Sequence, residues 1–193
     1  MTTRRWLRAV MVAAVFATGI GATTDASALD GYQSRENVFG GLSAGGAYGF
    51  VNRNGDLLDE GPGMHLEGVL GGGVTDRLTL GVEVDWWSRS VDKGSSNDFT
   101  LHHGSAGGVA DLFVLGGFHL SGGAGFAYGI CNGTREDDDC SWQELGLAAE
   151  AGVGYEFWFN GTLAGTADLG YTHHFYSRTS FDTAALTFGL RWY

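Results

Sequence analysis

Lysine is almost missing from this chain: Lys93 is the only one among 193 residues. Charged residues of all kinds make up 17%, whereas the surface of a soluble domain carries roughly 25–35%. The sequence is therefore short of side chains with which to face water. Proline occurs once, at Pro62, and the 34 glycines follow no three-residue period, which excludes collagen-like and proline-rich disordered chains. A mean hydropathy of -0.04 is too polar for a bundle of membrane helices. A formal net charge of -11 argues against nucleic acid as a partner, because the phosphate backbone demands positive charge. The length suits one domain with a single core or one closed barrel.

The first residues have the three parts of a secretory signal. Arg4, Arg5 and Arg8 precede an apolar run from Ala9 to Ile20, and Ala26-Ser27-Ala28 offers small residues for cleavage. The run is shorter than the ~20 residues needed for a membrane-spanning helix, so residues 1–28 read as a removed signal peptide and 29–193 as the mature domain. Export also sets the redox setting. Cys131 and Cys140, the only two cysteines, then lie in an oxidising compartment, where a disulfide is the expected state.

From residue 37 onward the sequence alternates with period two, the pattern of β-strands. Eight such stretches follow one another. The second shows Met64, Leu66, Leu70 and Val74 on one face; the third shows Leu78, Leu80, Val82, Val84 and Trp86; the last shows Ala184, Leu186, Phe188, Leu190 and Trp192. The fourth, at about 99–115, has the least clear phase. The opposite face carries acids, histidines, threonines and glycine. Connections alternate in length. The long ones are 52–63, 89–98, 131–141 and 177–181, and the short ones are Thr75-Asp76-Arg77, Gly116-Gly117 and Asn160-Gly161.

Two folds share this alternation: a soluble sandwich with its apolar face inside, and a membrane barrel with its apolar face toward lipid. The second fits better. The polar face lacks lysine and is rich in glycine, and aromatics gather near strand ends, as in Trp86-Trp87, Tyr155 to Phe159, Tyr171 to Tyr176, and Trp192-Tyr193. Such girdles mark lipid–water boundaries. The pattern predicts an all-β, eight-stranded, antiparallel, up-and-down transmembrane β-barrel. Over residues 37–193 the chain resembles the small outer-membrane barrels of the OmpA/OmpX type. That resemblance implies an integral, monomeric protein of the Gram-negative bacterial outer membrane. It also implies that the aromatic-ended last strand is the signal read by the barrel-assembly machinery. In the family the terminal aromatic keeps phase with the lipid face. Here Trp192 keeps it and Tyr193 does not.

The function classes follow from this fold. A non-enzymatic envelope barrel with a structural or surface-interaction role is the first reading, and no cofactor is expected. A small channel or ligand-binding barrel is the alternative. A third class rests on His103-Gly104-Ser105, which looks like the His-x-Ser of barrel lipid A deacylases, although no carboxylate takes the third role. Glu136 to Asp139 is read as a solvated loop segment.

The acids of the inward face form the remaining candidate site. If Val74 pairs with Leu78 across the first short turn, Glu67 lies opposite Asp85, with Glu83 two residues along the same face. Only Arg89 and Arg191 face inward to balance Glu67, Glu83, Asp85, Glu144, Glu150, Glu156 and Asp168. Arg191 is expected to reach Asp168 and Glu156. Arg89, about 13 Å along the strand from Asp85, meets the cluster only in part. The rest must be protonated, hydrated, bridged by His65 or His119, or paired with a cation.

Overall fold

The computed structural model describes residues 35–53, 56–91, 99–133 and 141–193. The segment read as a signal peptide lies outside them. Eight strands follow in order: β1 Val38–Arg53, β2 Asp56–Thr75, β3 Leu78–Val91, β4 Phe99–Leu115, β5 Phe118–Gly133, β6 Ser141–Trp158, β7 Leu163–Tyr176 and β8 Thr179–Trp192. Each pairs antiparallel with its neighbours in sequence, and β1 pairs with β8 to close the barrel. Closure leaves no sheet edge in the bilayer, where an unpaired backbone amide would cost several kcal/mol.

The outward face is apolar in the predicted phase. Leu42, Leu70, Val82, Val84 and Phe188 are all more than half exposed, an arrangement that water penalises and hydrocarbon does not. The adjacent inward positions are buried or half-buried. Aromatic pairs read together as girdle residues are split by the alternation. Trp86, Phe157, Phe175 and Trp192 face out, while Trp87, Trp158, Tyr176 and Tyr193 turn into the lumen. The inward face is thus less polar than the sequence reading held. Large rings such as Phe39, Trp87, Phe113 and Phe181 are almost fully buried there.

The short connections are tight turns. Thr75 Oγ1 accepts the amides of Arg77 and Leu78, and Asn160 Oδ1 accepts those of Thr162 and Leu163. Gly116 has φ 54°, a left-handed conformation that glycine adopts without a Cβ clash. Two long connections shrink. Residues 52–63 are largely strand, because β1 and β2 stay paired up to Arg53 and Asp56 past a bulge at Val51/Asn52. The last connection is only Ser177-Arg178, since β8 starts at Thr179. β2–β3 pairing begins at Met64↔Ser88. Pro62 therefore sits where β2 has lost its second neighbour, a place where a missing amide hydrogen is tolerated.

Candidate functional site: the lumen

The lumen has three layers, each built from inward positions of several strands. The upper layer, toward the long connections, is apolar and aromatic. Trp87, Phe181, Val51, Val91, Phe99 and Leu101 form one buried cluster, with Trp142 and Tyr176 packed against it. Gly49 and Gly63 have no side chain because Trp87 fills the space a Cβ would need. His103 stacks on Phe181 with ring centroids 3.6 Å apart, and its Nδ1 lies 3.1 Å from the Tyr176 hydroxyl. His174 Nδ1–H donates to the Phe181 carbonyl at 3.4 Å. At the rim Arg89 pairs with Asp59 at 2.7 Å, in place of the partial contact with the acid cluster that the sequence suggested.

The middle layer is a cavity of about 70 Å³, room for several waters, since one needs roughly 10–15 Å³ on this scale. Glu67, Glu83, Asp85, Glu150, His65 and Ser43 are among the residues that line it. Glu67 does lie opposite Asp85 in the β2–β3 register. Carboxylate oxygens of Glu83, Asp85 and Glu150 all fall within 4.8 Å of one another. Ser105 Oγ donates to Asp85.

The lower layer, toward the tight turns, is an ion-pair network under a cover of rings. Arg191 Nη1 lies 2.9 Å from Asp111 Oδ2 and 3.7 Å from Glu156 Oε2. Glu156 is wholly buried. It also accepts from Arg35 Nε at 2.9 Å and from the Tyr193 hydroxyl at 2.6 Å. The Arg35 guanidinium lies 3.8 Å over the Phe113 ring, and Tyr193 packs against Phe39 and Trp158. The out-of-phase terminal tyrosine is therefore part of the lower seal.

One of the two pairings expected for Arg191 is corrected. Arg191 reaches Glu156 but takes Asp111 in place of Asp168. Asp168 instead meets His119 Nε2 at 3.0 Å. Neighbour order suggested the first pairing, yet β8 and β4 stand on opposite sides of the barrel, and a long arginine spans the lumen between them. The His119–Asp168 pair crosses over β6 at Gly154, where a Cβ would collide with both partners. Asp111 and Arg35 were missed in the sequence reading. Asp111 stands between Ala110 and Leu112, so the alternation alone points it inward. Arg35 precedes β1 and carries no periodic signal. Glu144 is separate from these layers' ion pairs and accepts from Thr179 at 2.9 Å.

His103 and Ser105 both face the lumen. The serine is engaged with Asp85 and the histidine with Tyr176 and Phe181, so the pair does not present a nucleophile to lipid. Cys131 is buried in the upper cluster, and Cys140 lies outside the described residues.

No protein-family profile matches the sequence, and no curated protein matches it. Solved structures do. The attachment invasion locus protein Ail of Yersinia pestis aligns with a TM-score of 0.62 at 18% identity, covering 80% of this chain and 99% of Ail. Ail in complex with the heparin analogue sucrose octasulfate gives 0.60 at 17% identity, with coverages of 80% and 99%. Neisserial surface protein A gives 0.55 at 14% identity, with coverages of 81% and 99%. At these identities the likeness is one of fold. The chain is built as the small eight-stranded outer-membrane barrels are, and its closed sheet and apolar belt make it a membrane-spanning barrel of that type.

Proposed function

We propose that this chain serves in the bacterial outer membrane as a non-enzymatic barrel with a structural or surface-interaction role. One observation carries the reading: the lumen is blocked at both ends by packed side chains. Above the cavity stand Trp87, Phe181 and His103. Below it stand Arg35, Glu156 and Tyr193. A channel needs a continuous wet path, which these layers interrupt. Ser105 does not face lipid and is engaged with Asp85 inside the lumen.

In this role residues 1–28 direct export, the β8 strand engages the barrel-assembly machinery, and the mature chain is a monomer held by outer-membrane lipid. The segments that link β1 to β2, β3 to β4, β5 to β6 and β7 to β8 carry three basic and six acidic side chains. Ail was solved with a polyanion. The acidic balance here favours cationic partners, by charge complementarity.

Planar-bilayer recording tests the reading. The folded protein is expected to show no sustained conductance steps at neutral pH. A stable open channel in the wild type would refute it and favour the small-channel alternative.

The cysteines give a second test. A Cys131–Cys140 bond closes a short loop and should stabilise by about 2–3 kcal/mol, mainly through the unfolded chain. Maleimide labelling of unreduced, exported protein is expected to find no free thiol. Cys140→Ser should lower stability by that amount while the barrel still forms. Two reactive thiols per native chain would contradict the bond.

A further inference from the structure

The middle layer of the lumen has an imbalance that the described residues do not resolve. Arg191 lines the cavity, but its guanidinium is committed to Asp111 and Glu156. His119 is committed to Asp168. Arg89 is at the rim with Asp59. Glu83, Asp85 and Glu150 are left with their oxygens gathered within 4.8 Å. Glu67 stands opposite Asp85, and no basic side chain among the described residues is paired to the trio except through His65.

His65 is the second, independent observation. It is 94% buried, its residue exposure being 6%, and it lines the same cavity. Its Nδ1 has no hydrogen-bond partner. Its Nε2 faces Asp85 Oδ1 at 3.9 Å, too far for a direct hydrogen bond. A buried imidazole with one unpartnered nitrogen and the other 3.9 Å from a carboxylate, beside converging carboxylates and free volume, leaves room for a bridging group.

We propose that Glu83, Asp85 and Glu150 form a site for one divalent cation of the hard, oxygen-liganded class, with His65 holding a water of the ion's coordination shell. Ions of this class take carboxylate oxygens at roughly 2.0–2.6 Å. Oxygens on opposite sides of such an ion are then about 4–5 Å apart, and those of the trio lie within 4.8 Å of one another, close enough to share one ion. The cavity leaves room for the waters that complete the shell. The ion offsets carboxylate charge that would otherwise face a low-dielectric interior. It also ties β3 to β6, which are not neighbours in the sheet.

Manganese(II) is the probe. The chain is folded into detergent micelles while dialysed against micromolar MnCl2, so that loading does not depend on entry through a closed lumen. Manganese in excess of the dialysate is then measured per folded chain, with heat-modifiable gel migration reporting folding. The wild type is expected to hold roughly one ion. The Glu83→Gln/Glu150→Gln variant, which keeps side-chain size and relieves the charge, should lose that ion. His65→Ala should weaken uptake roughly ten- to hundredfold, as expected for a group that supports the ligands. Asp59→Asn, which alters an acid at the rim, should bind as the wild type does. No excess manganese in the folded wild type would overturn the proposal and leave shared protons to neutralise the trio. Equal uptake by the double variant would overturn it too, assigning the ion to other acids such as Glu136 to Asp139.

Discussion

Val82→Arg is expected to cost the barrel about 2–4 kcal/mol and to reduce the assembled fraction sharply, whereas Glu83→Gln should fold at least as well as the wild type. The two positions are adjacent in β3 and face opposite ways. Val82 is 61% exposed on the outer face, near the middle of the stretch from Leu78 to Ser88 that pairs on both sides. A guanidinium there meets hydrocarbon and must draw water or headgroups inward. Glu83 faces the cavity beside Asp85 and Glu150, where, with divalent cations removed by chelator, removing a charge relieves repulsion. Heat-modifiable migration and denaturant unfolding in bilayers measure both. If Val82→Arg assembles as well as Glu83→Gln does, the inside–outside assignment of β3 is wrong.

Arg191→Met should be the most damaging change in the lower layer, at about 3–5 kcal/mol, because it strands a buried charge. Asp111 is 4% exposed, and apart from Arg191 its carboxylate has, among the described residues, only the Thr79 hydroxyl as a hydrogen-bonding side-chain partner. Glu156 keeps Arg35 and Tyr193 but loses its second cation. Arg89→Met removes an arginine of the same chemistry from a pair whose side chains are each 18% exposed at the rim. Solvent screens that pair, and its loss should cost at most about 1 kcal/mol. Unfolding free energies of the two variants in the same bilayer settle the comparison. Equal losses would mean that the lower network is wet or that its charges are compensated elsewhere.

The periodicity of two and the scarcity of lysine were enough to establish an eight-stranded barrel with its apolar face outward. Strand polarity is local information. Each residue's side is set by parity, and β-strands from Val38 to Trp192 keep that parity over long runs. Register between neighbours was legible where a short turn fixes it. Glu67 lies opposite Asp85 as expected, but not for the expected reason: Leu78 pairs with Thr75 in place of Val74, and a bulge between Gly73 and Thr75 restores the register. The same parity separates Trp86 from Trp87, and Trp192 from Tyr193 as the phase of the last strand predicted.

Contacts across the lumen were not legible. They depend on how far the strands tilt and stagger when the sheet closes, and no local pattern encodes that. Closure brings Arg191 on β8 to Asp111 on β4, carries the His119–Asp168 pair past Gly154, and inserts Arg35 from ahead of β1 beneath Glu156. Long side chains make these choices, because an arginine can span a small barrel while a strand neighbour stays at one height. The sequence by itself thus determined the side of most strand residues and the excess of acids among those facing the lumen, though not Arg35, which lies ahead of the periodic pattern. Only the closed barrel decided which charges meet, which rings seal the ends, and which three carboxylates remain together in the cavity between.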